Sequence, residues 1–273
     1  MMNITDRKAL VEGAYVVPQD TFGAIICTAG EAEVSIGEKV YRIGKHALIL
    51  YVPFTVIRVL NCSEDWNVEM FEENIDFVFS SLSNVSVRKR QAVRTVSCVM
   101  ATAAHYARLN QLLCIIRQRE ELVRENPNEE QAEILRDIVR RLAQVLCIEL
   151  MEVYFECVPI EDLPLSKDAQ IYNRFITSVF RHCHTERTVN FYAAEQHLSP
   201  GYFSVVVRRQ SGQAALKWIE IITMSKIKQY LRRPDLSLKE IAELMNFSDQ
   251  SAFGRFFRQH ENGTAPSEFR KGL

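Results

Sequence analysis

Apolar and polar positions follow three successive rhythms along this chain. Between residues 22 and 60 the apolar runs are short, rich in β-branched and aromatic residues, and separated by Gly, Pro or charge: 22–28, 32–36, 39–43, 47–51 and 55–60. Runs of that length and composition predict strands. Gly37-Glu38 reads as a tight hairpin turn, Gly44 and Pro53 punctuate the strands that follow, and the spacing predicts a small barrel. The period then lengthens to that of a helix. Residues 93–125 and 129–157 predict two long helices joined by Asn126-Pro127-Asn128. Val99, Ala103, Tyr106, Leu113 and Ile116 share a face of the first; Leu135, Ile138, Leu142, Val145, Leu146, Leu150, Val153 and Tyr154 form a wider face on the second. Such a hairpin must bury its stripes against the barrel, against itself or against another subunit, and periodicity leaves the choice open. Two prolines in the short acidic segment 159–166 then break the pattern and predict a linker, with a helix from Asp168 to His182 opening the next domain.

The third rhythm is a repeat. Residues 189–199 reappear in kind as 238–248, each followed by a second helix bearing Phe and Arg. In each copy a small residue (Ala193, Ala242) stands where two helices must approach, an apolar residue (Leu198, Phe247) enters the turn, and Ser199 or Ser248 is placed to cap the next helix. That is a helix-turn-helix pattern, whose second helix is the candidate groove reader. From 213 to 231 there is no Pro or Gly, and Leu216, Ile219, Ile222, Ile227 and Leu231 recur near helical spacing. A helix there spans roughly 28 Å. One turn of B-DNA is about 34 Å, so such a connector can hold two readers near adjacent groove openings.

Residues 188–271 resemble the DNA-binding domain of AraC-type transcriptional regulators. The resemblance is carried by Asn246-Phe247-Ser248-Asp249-Gln250-Ser251-Ala252-Phe253 and by the closing Ala265-Pro266-Ser267-Glu268-Phe269-Arg270. It implies two helix-turn-helix units entering neighbouring major-groove segments, a cupin-like barrel ahead of them, and dimerisation through helices. It further implies promoter DNA as target and activation as the commoner outcome. In the carboxy-terminal unit Phe253 and Phe257 should join Ile241, Leu244 and Phe247 in the core, leaving Asp249, Gln250, Ser251 and Arg255 toward solvent or a groove, with Arg258 beyond them. Arg255 can bond guanine through two hydrogen bonds and Gln250 adenine, each pair discriminating by roughly 1 to 3 kcal/mol; Arg255 contacting only phosphate is the alternative. In the amino-terminal unit the family motif places Gly201, Ser204 and Val205 on the exposed face, with Tyr202, Arg208 and Arg209 nearby. The polar or basic reader often found at the site of Val205 is absent. Val205 can instead meet a thymine methyl while Arg208 and Arg209 serve phosphates. A second departure is 259–264, one residue longer than the usual turn, which predicts a local loop change without loss of fold.

Composition and charge fit this organisation. The 273 residues, 47% hydrophobic, suffice for two packed cores. The longest apolar runs, such as 47–59, are interrupted by Pro53 and Arg58 and fall short of a membrane span, and the first residues lack a signal-peptide pattern. Seven scattered cysteines read as reduced core residues of a cytoplasmic protein. Residues 166–273 hold 16 Lys or Arg against 10 Asp or Glu, a balance of +6, which leaves −7 for residues 1–165. The basic end is therefore the end that must meet phosphates.

No metal or catalytic site is legible. His46 is the only histidine in the first hundred residues, too few ligands for a cupin metal site, and Cys183 lies between His182 and His184 without a second ligand cluster. Walker, dinucleotide, nucleophile-elbow and HExxH patterns are absent. The expectation is an α+β chain: a cupin-like β-barrel with a helical hairpin over 1–158, a linker over 159–167, and an all-α domain with two helix-turn-helix units over 168–273. Its function is read as a sequence-specific DNA-binding transcription regulator whose amino-terminal domain senses an effector or mediates dimerisation, with activation the commoner outcome that the resemblance implies. Its partners would be double-stranded promoter DNA, a second copy of itself, a small-molecule effector and RNA polymerase, with no cofactor and no membrane. Two alternatives stay open: a regulator controlled by a protein partner without any small ligand, and a cupin-like enzyme fused to a DNA-binding module. A polar barrel interior would favour the sensor, a packed apolar interior the ligand-free regulator.

Overall fold

A computed structural model of the chain describes residues 3–7, 12–13, 15–16, 21–75, 77–78, 89, 92–93, 96–125, 128–158 and 166–271. The chain divides into two compact units, Met1–Pro164 and Leu165–Leu273. Residues 159–165, most of the expected linker, lie outside the described residues.

The first unit contains strands β1 (Asn3–Arg7), β2 (Tyr15–Val16), β3 (Thr21–Ala29), β4 (Glu31–Ile36), β5 (Lys39–Gly44), β6 (Ala47–Tyr51), β7 (Ile57–Cys62), β8 (Asn67–Asn74) and β9 (Cys98–Met100). They form two antiparallel sheets, ordered β1-β8-β3-β6-β9 and β2-β7-β4-β5. The sheets do not close into one hydrogen-bonded barrel among the described residues. Gly37, at φ 60°, makes the two-residue turn that pairs Ile36 with Lys39.

Strand β6 is buried throughout and β3 at residues 24–27, because alternate side chains serve two cores. Ile25, Cys27, Ile49 and Tyr51 pack toward Val34 and Ile57 of the second sheet. Their neighbours Ala24, Ile26, Leu48 and Leu50 pack with residues of two helices, α1 (Ala103–Glu125) and α2 (Glu129–Cys157). Glycine at 23 is required there: a Cβ would lie 2.1 Å from the Tyr51 hydroxyl oxygen, whose hydrogen bond to Glu72 spans 2.9 Å.

Two elements differ from the sequence reading. Strand β8 was hidden by Glu69, Glu72 and Glu73; the Glu69 carboxylate reaches Arg117 of α1 at 3.2 Å. Strand β9 takes up Val99, which the helical period had assigned to α1. Pairing with β6, together with the Leu50 N–H donating to the Ser97 carbonyl at 2.9 Å, satisfies backbone groups that β6 would otherwise leave open. Helix α1 therefore begins at Ala103 and buries Leu109, Leu113 and Ile116. Helix α2 starts where expected, capped by the Asn128 side chain, which accepts from the Glu130 N–H at 3.0 Å. Its buried face is Ala132, Val139, Ala143, Leu146, Leu150, Val153 and Tyr154, whereas Ile138 and Val145 are exposed with Ile134 and Ile148. The helix is apolar on two faces, and periodicity could not say which one the core would take.

The second unit is all helical: α3 (Lys167–His182), α4 (Val189–Glu195), α5 (Pro200–Ser211), α6 (Ala215–Leu231), α7 (Leu238–Leu244), α8 (Gln250–His260) and α9 (Pro266–Lys271). Phe175 packs edge-on against Tyr192 and Phe203, and Tyr172 against Trp218. Further on, Met224, Ile227, Leu231, Ile241, Met245, Phe253 and Phe257 form a second core. Helix α6 feeds both and is buried at five successive residues, 221–225, so it is covered on every side at its middle. Leu244, expected inside, is exposed; Met245, fully buried, fills its place.

Candidate nucleic-acid interface

The two helix-turn-helix units are built by the same backbone device. After α4 the Leu198 N–H donates to the Ala193 carbonyl at 3.0 Å, and after α7 the Phe247 N–H donates to the Ala242 carbonyl at 2.9 Å. Each bond spans one residue in the left-handed region, His197 at φ 57° and Asn246 at φ 51°. This closes the helix sharply and turns the chain toward the next one. Ala193 and Ala242 are buried, as close helix approach requires.

The turns then diverge by one residue. Ser199 caps α5 by accepting from the Tyr202 N–H at 3.3 Å. In the second unit the cap is Asp249 and not Ser248: the Asp249 carboxylate accepts from the Ala252 N–H at 2.7 Å, while the Ser248 hydroxyl donates to Asp249 at 3.2 Å. That backbone bond holds the Asp249 carboxyl below the ordinary carboxylate range. The carboxylate is engaged at the helix end while Asp249 itself stays exposed.

Beyond the caps the helices match again. Phe203 and Val207 are buried in the first unit, Phe253 and Phe257 in the second. Their outward stripes are Gly201, Val205 and Arg208 on α5 and Ser251, Arg255 and Arg258 on α8, all exposed. Positions i, i+4 and i+7 cover about 10 Å of helix, the length of roughly three base-pair steps. Chemically the stripes differ: α8 offers two guanidinium groups and a hydroxyl, with exposed Gln250 at the helix start, whereas α5 offers a bare backbone, a methyl pair and one guanidinium.

Not every expected residue joins these stripes. Tyr202 is exposed beside the α5 stripe. Ser204 is half-buried and donates its hydroxyl hydrogen to the Pro200 carbonyl at 2.7 Å, within its own helix. Arg209 is exposed but ion-paired with Asp168 of α3. The longer loop predicted after α8 is absorbed by two successive left-handed residues, Asn262 and Gly263, with the Gly263 N–H donating to the Arg258 carbonyl at 2.9 Å.

One residue that helical patterning leaves unmarked is Arg187, in the loop between α3 and α4. Its guanidinium donates to the Met245 carbonyl at the end of α7 and to the His184 carbonyl at 3.1 Å, and lies 4.1 Å from the Phe247 ring centroid. A loop residue has no period to betray it.

Other reactive groupings are accounted for by packing. The buried Ser178 hydroxyl donates to Glu195 and lies 3.1 Å from His182 Nδ1, tying α3 to α4. Its proton goes to the carboxylate, so this serine is not activated by the imidazole. Burial pushes the Cys27 and Cys98 thiols up to about 11 and Cys147 to about 12, which keeps them protonated at neutral pH. Among the described residues no group of three His, Cys, Asp or Glu is placed to hold a metal ion.

Comparison with known proteins addresses the same segment. Residues 192–272 match the helix-turn-helix domain family. The Msm operon regulatory protein of Streptococcus mutans is 29% identical over 121 residues, 42% of this chain; the match spans 43% of that relative's length. Among solved structures, ToxT from Vibrio cholerae is similar over 100% of this chain and 97% of its own, at 13% identity and a TM-score of 0.45. The C-terminal domain of AraT, a response regulator from Geobacillus stearothermophilus, is similar over 41% of this chain and 89% of its own, at 24% identity and a TM-score of 0.36. Residues 192–272 of this chain form a helix-turn-helix domain.

Proposed function

We propose that the chain is a sequence-specific transcription regulator whose two helix-turn-helix units bind promoter DNA. The observation that carries this reading is the paired construction of the units: the same turn bond, the same left-handed residue and the same exposed stripe, joined through α6. At 17 residues α6 is about 26 Å long, which suits readers placed in adjacent groove openings. The base-reading chemistry is concentrated in α8, through Gln250, Ser251, Arg255 and Arg258, while Gly201, Tyr202, Val205 and Arg208 of α5 supply shape and phosphate contact.

The first unit is assigned to association and control. Residues packed between its sheets are predominantly apolar, which favours control by a protein partner or by constitutive association over binding of a polar effector; a small-molecule effector seated there would itself have to be apolar. Exposed Ile134, Ile138, Val145 and Ile148 on α2 recur at heptad-compatible intervals, and we assign that face to a second copy of the chain. Activation is the expected sign of regulation, with RNA polymerase as the partner, in the cytoplasm. Among the described residues no helix is long and apolar enough to cross a membrane. The reading assigns no catalytic step, cofactor or metal.

The test is selection of bound sequences from random duplex DNA by the full chain, with the recovered sequences measured at two salt concentrations. A motif with two half-sites about one helical turn apart is expected. Absence of enrichment, with or without added nuclease-free cell extract as a source of partners, would overturn the reading.

A further inference from the structure

We propose that Arg187 is a positioning residue that fixes the rotation of one groove reader relative to the other, and through it the half-site separation the chain selects. The inference rests on the proposed DNA-binding function, and it concerns half-site separation, not base identity. Arg187 leaves the loop that leads into the first helix-turn-helix unit, yet its contacts are in the second. The guanidinium donates to the Met245 carbonyl, at the end of α7, and stacks over Phe247, the residue that enters the second turn. It also lies 5.9 Å from the ring of Phe256, on the reading helix α8. On its own side it is anchored by the His184 carbonyl at 3.1 Å.

The arrangement is costly to change. Met245 is wholly buried and its carbonyl is one of the open acceptors at a helix end, so the charged donor satisfies a group that the short α7 leaves over. The side chain is half-buried, and its Nε is buried without a hydrogen-bond partner. Neither the second turn nor the loop 183–188 can rotate without breaking the stack or the carbonyl bond. Helix α6 alone fixes the distance between the units, since both pack on it, but a helix packed on two bodies still permits each to roll about its axis. Arg187 joins the bodies at a second point, off that axis, and two points of attachment define a rotation where one does not. The rotation decides which groove segment α8 meets when α5 is seated.

The contact is also specific to arginine. A lysine could reach a carbonyl but could not stack a planar cation on Phe247 while donating to two carbonyls. Arg187→Lys therefore retains the charge while weakening the clamp, and Arg187→Met retains the stem while removing it.

The experiment measures affinity for a set of operators that carry the selected half-sites at their selected separation and at one base pair more or fewer. For the wild type, the altered separations bind less well. For Arg187→Met the penalty for altered separation falls by roughly tenfold, because one charge-assisted hydrogen bond and one cation–π contact no longer resist the rotation. Arg187→Lys falls between the two, preference for each base is unchanged, and the salt slope on random DNA is unchanged because no phosphate contact is lost. An equal loss at every separation would overturn the proposal, as would a salt slope reduced by about one, which marks a phosphate contact instead. If Arg187→Met does not fold, Phe247→Leu removes the stacking platform, together with the ring contacts to Phe253 and Phe256 inside the second helix-turn-helix unit, and must relax the spacing in the same direction. If the wild type binds no DNA, the function fails first and the clamp is read by amide exchange: exchange at 245–248 accelerates in Arg187→Lys while 196–199 keeps its protection, and equal acceleration at both turns overturns the proposal.

Discussion

Arg208 and Arg209 are adjacent, alike in the sequence, and predicted by their structural settings to behave differently on DNA. Arg208 belongs to the exposed stripe of α5, whereas Arg209 is turned to Asp168 of α3, with 58% of its side chain still exposed. A phosphate contact contributes about 0.9 to the slope of log affinity against log salt on duplex DNA. Replacing Arg208 by Ala should therefore lower the slope by about 0.9, which changes the affinity ratio between 50 and 200 mM salt by roughly 3.5-fold. Arg209→Ala should leave the slope nearly unchanged, since its charge is already opposed by a carboxylate, and should cost at most about 0.2 to 1 kcal/mol of stability, as for an exposed ion pair. Because these effects are independent, the double Ala change should resemble Arg208→Ala and not twice that loss. Fluorescence anisotropy on a random duplex, titrated at four or five salt concentrations, gives all three slopes. Equal slope losses for the two single changes would refute the argument and show that the Asp168 pair opens on DNA.

Three further outcomes follow from the same structure. Arg255→Ala should weaken the selected operator by about 1 to 3 kcal/mol and relax preference at one base step, measured by competition with single-base variants; equal losses on operator and random DNA would mean phosphate contact only. Thr223→Val should raise the unfolding midpoint, because the Thr223 hydroxyl is fully buried in the middle of α6 with no hydrogen-bond partner; relief of about 1 kcal/mol is expected, and a lowered midpoint in thermal unfolding would show that the hydroxyl is satisfied after all. The Asp249 cap sets a pH dependence. Its folded carboxyl lies below the ordinary value, so its contribution is fully present above the ordinary Asp range and is lost as pH falls through the lowered folded value. Asp249→Asn keeps an acceptor for the Ala252 N–H but does not titrate, and unfolding followed between neutral and acid pH should show a shallower loss for Asn; parallel curves would remove Asp249 from the account.

The helix-turn-helix repeat was legible in the sequence because its requirements are local. A small residue at the helix crossing, a turn that closes by a bond five residues back, and a capping side chain all act within a dozen residues, so 189–199 and 238–248 announce the same device. The extra residue in the second turn was not legible, since Ser248 and Asp249 are both good caps and only the packing of Phe253 and Phe257 selects between them. The strands β3 to β7 were likewise readable from short apolar runs. Strand β8 was not, because its carboxylates are answered by Tyr51 and Arg117, residues 21 and 48 positions distant.

What the chain alone determined, then, is the set of local devices: turns, caps, most helices and strands, and the basic character of the carboxy-terminal end. Tertiary structure decided which of two apolar faces α2 buries, which arginines remain available to a ligand and which are spent on Asp168 or on a backbone carbonyl, and where Arg187 reaches. Hydrogen-bond closure and side-chain periodicity are fixed by neighbours in the chain. The allocation of a charge or an apolar face depends on what lies across a core, and a linear pattern carries no record of that.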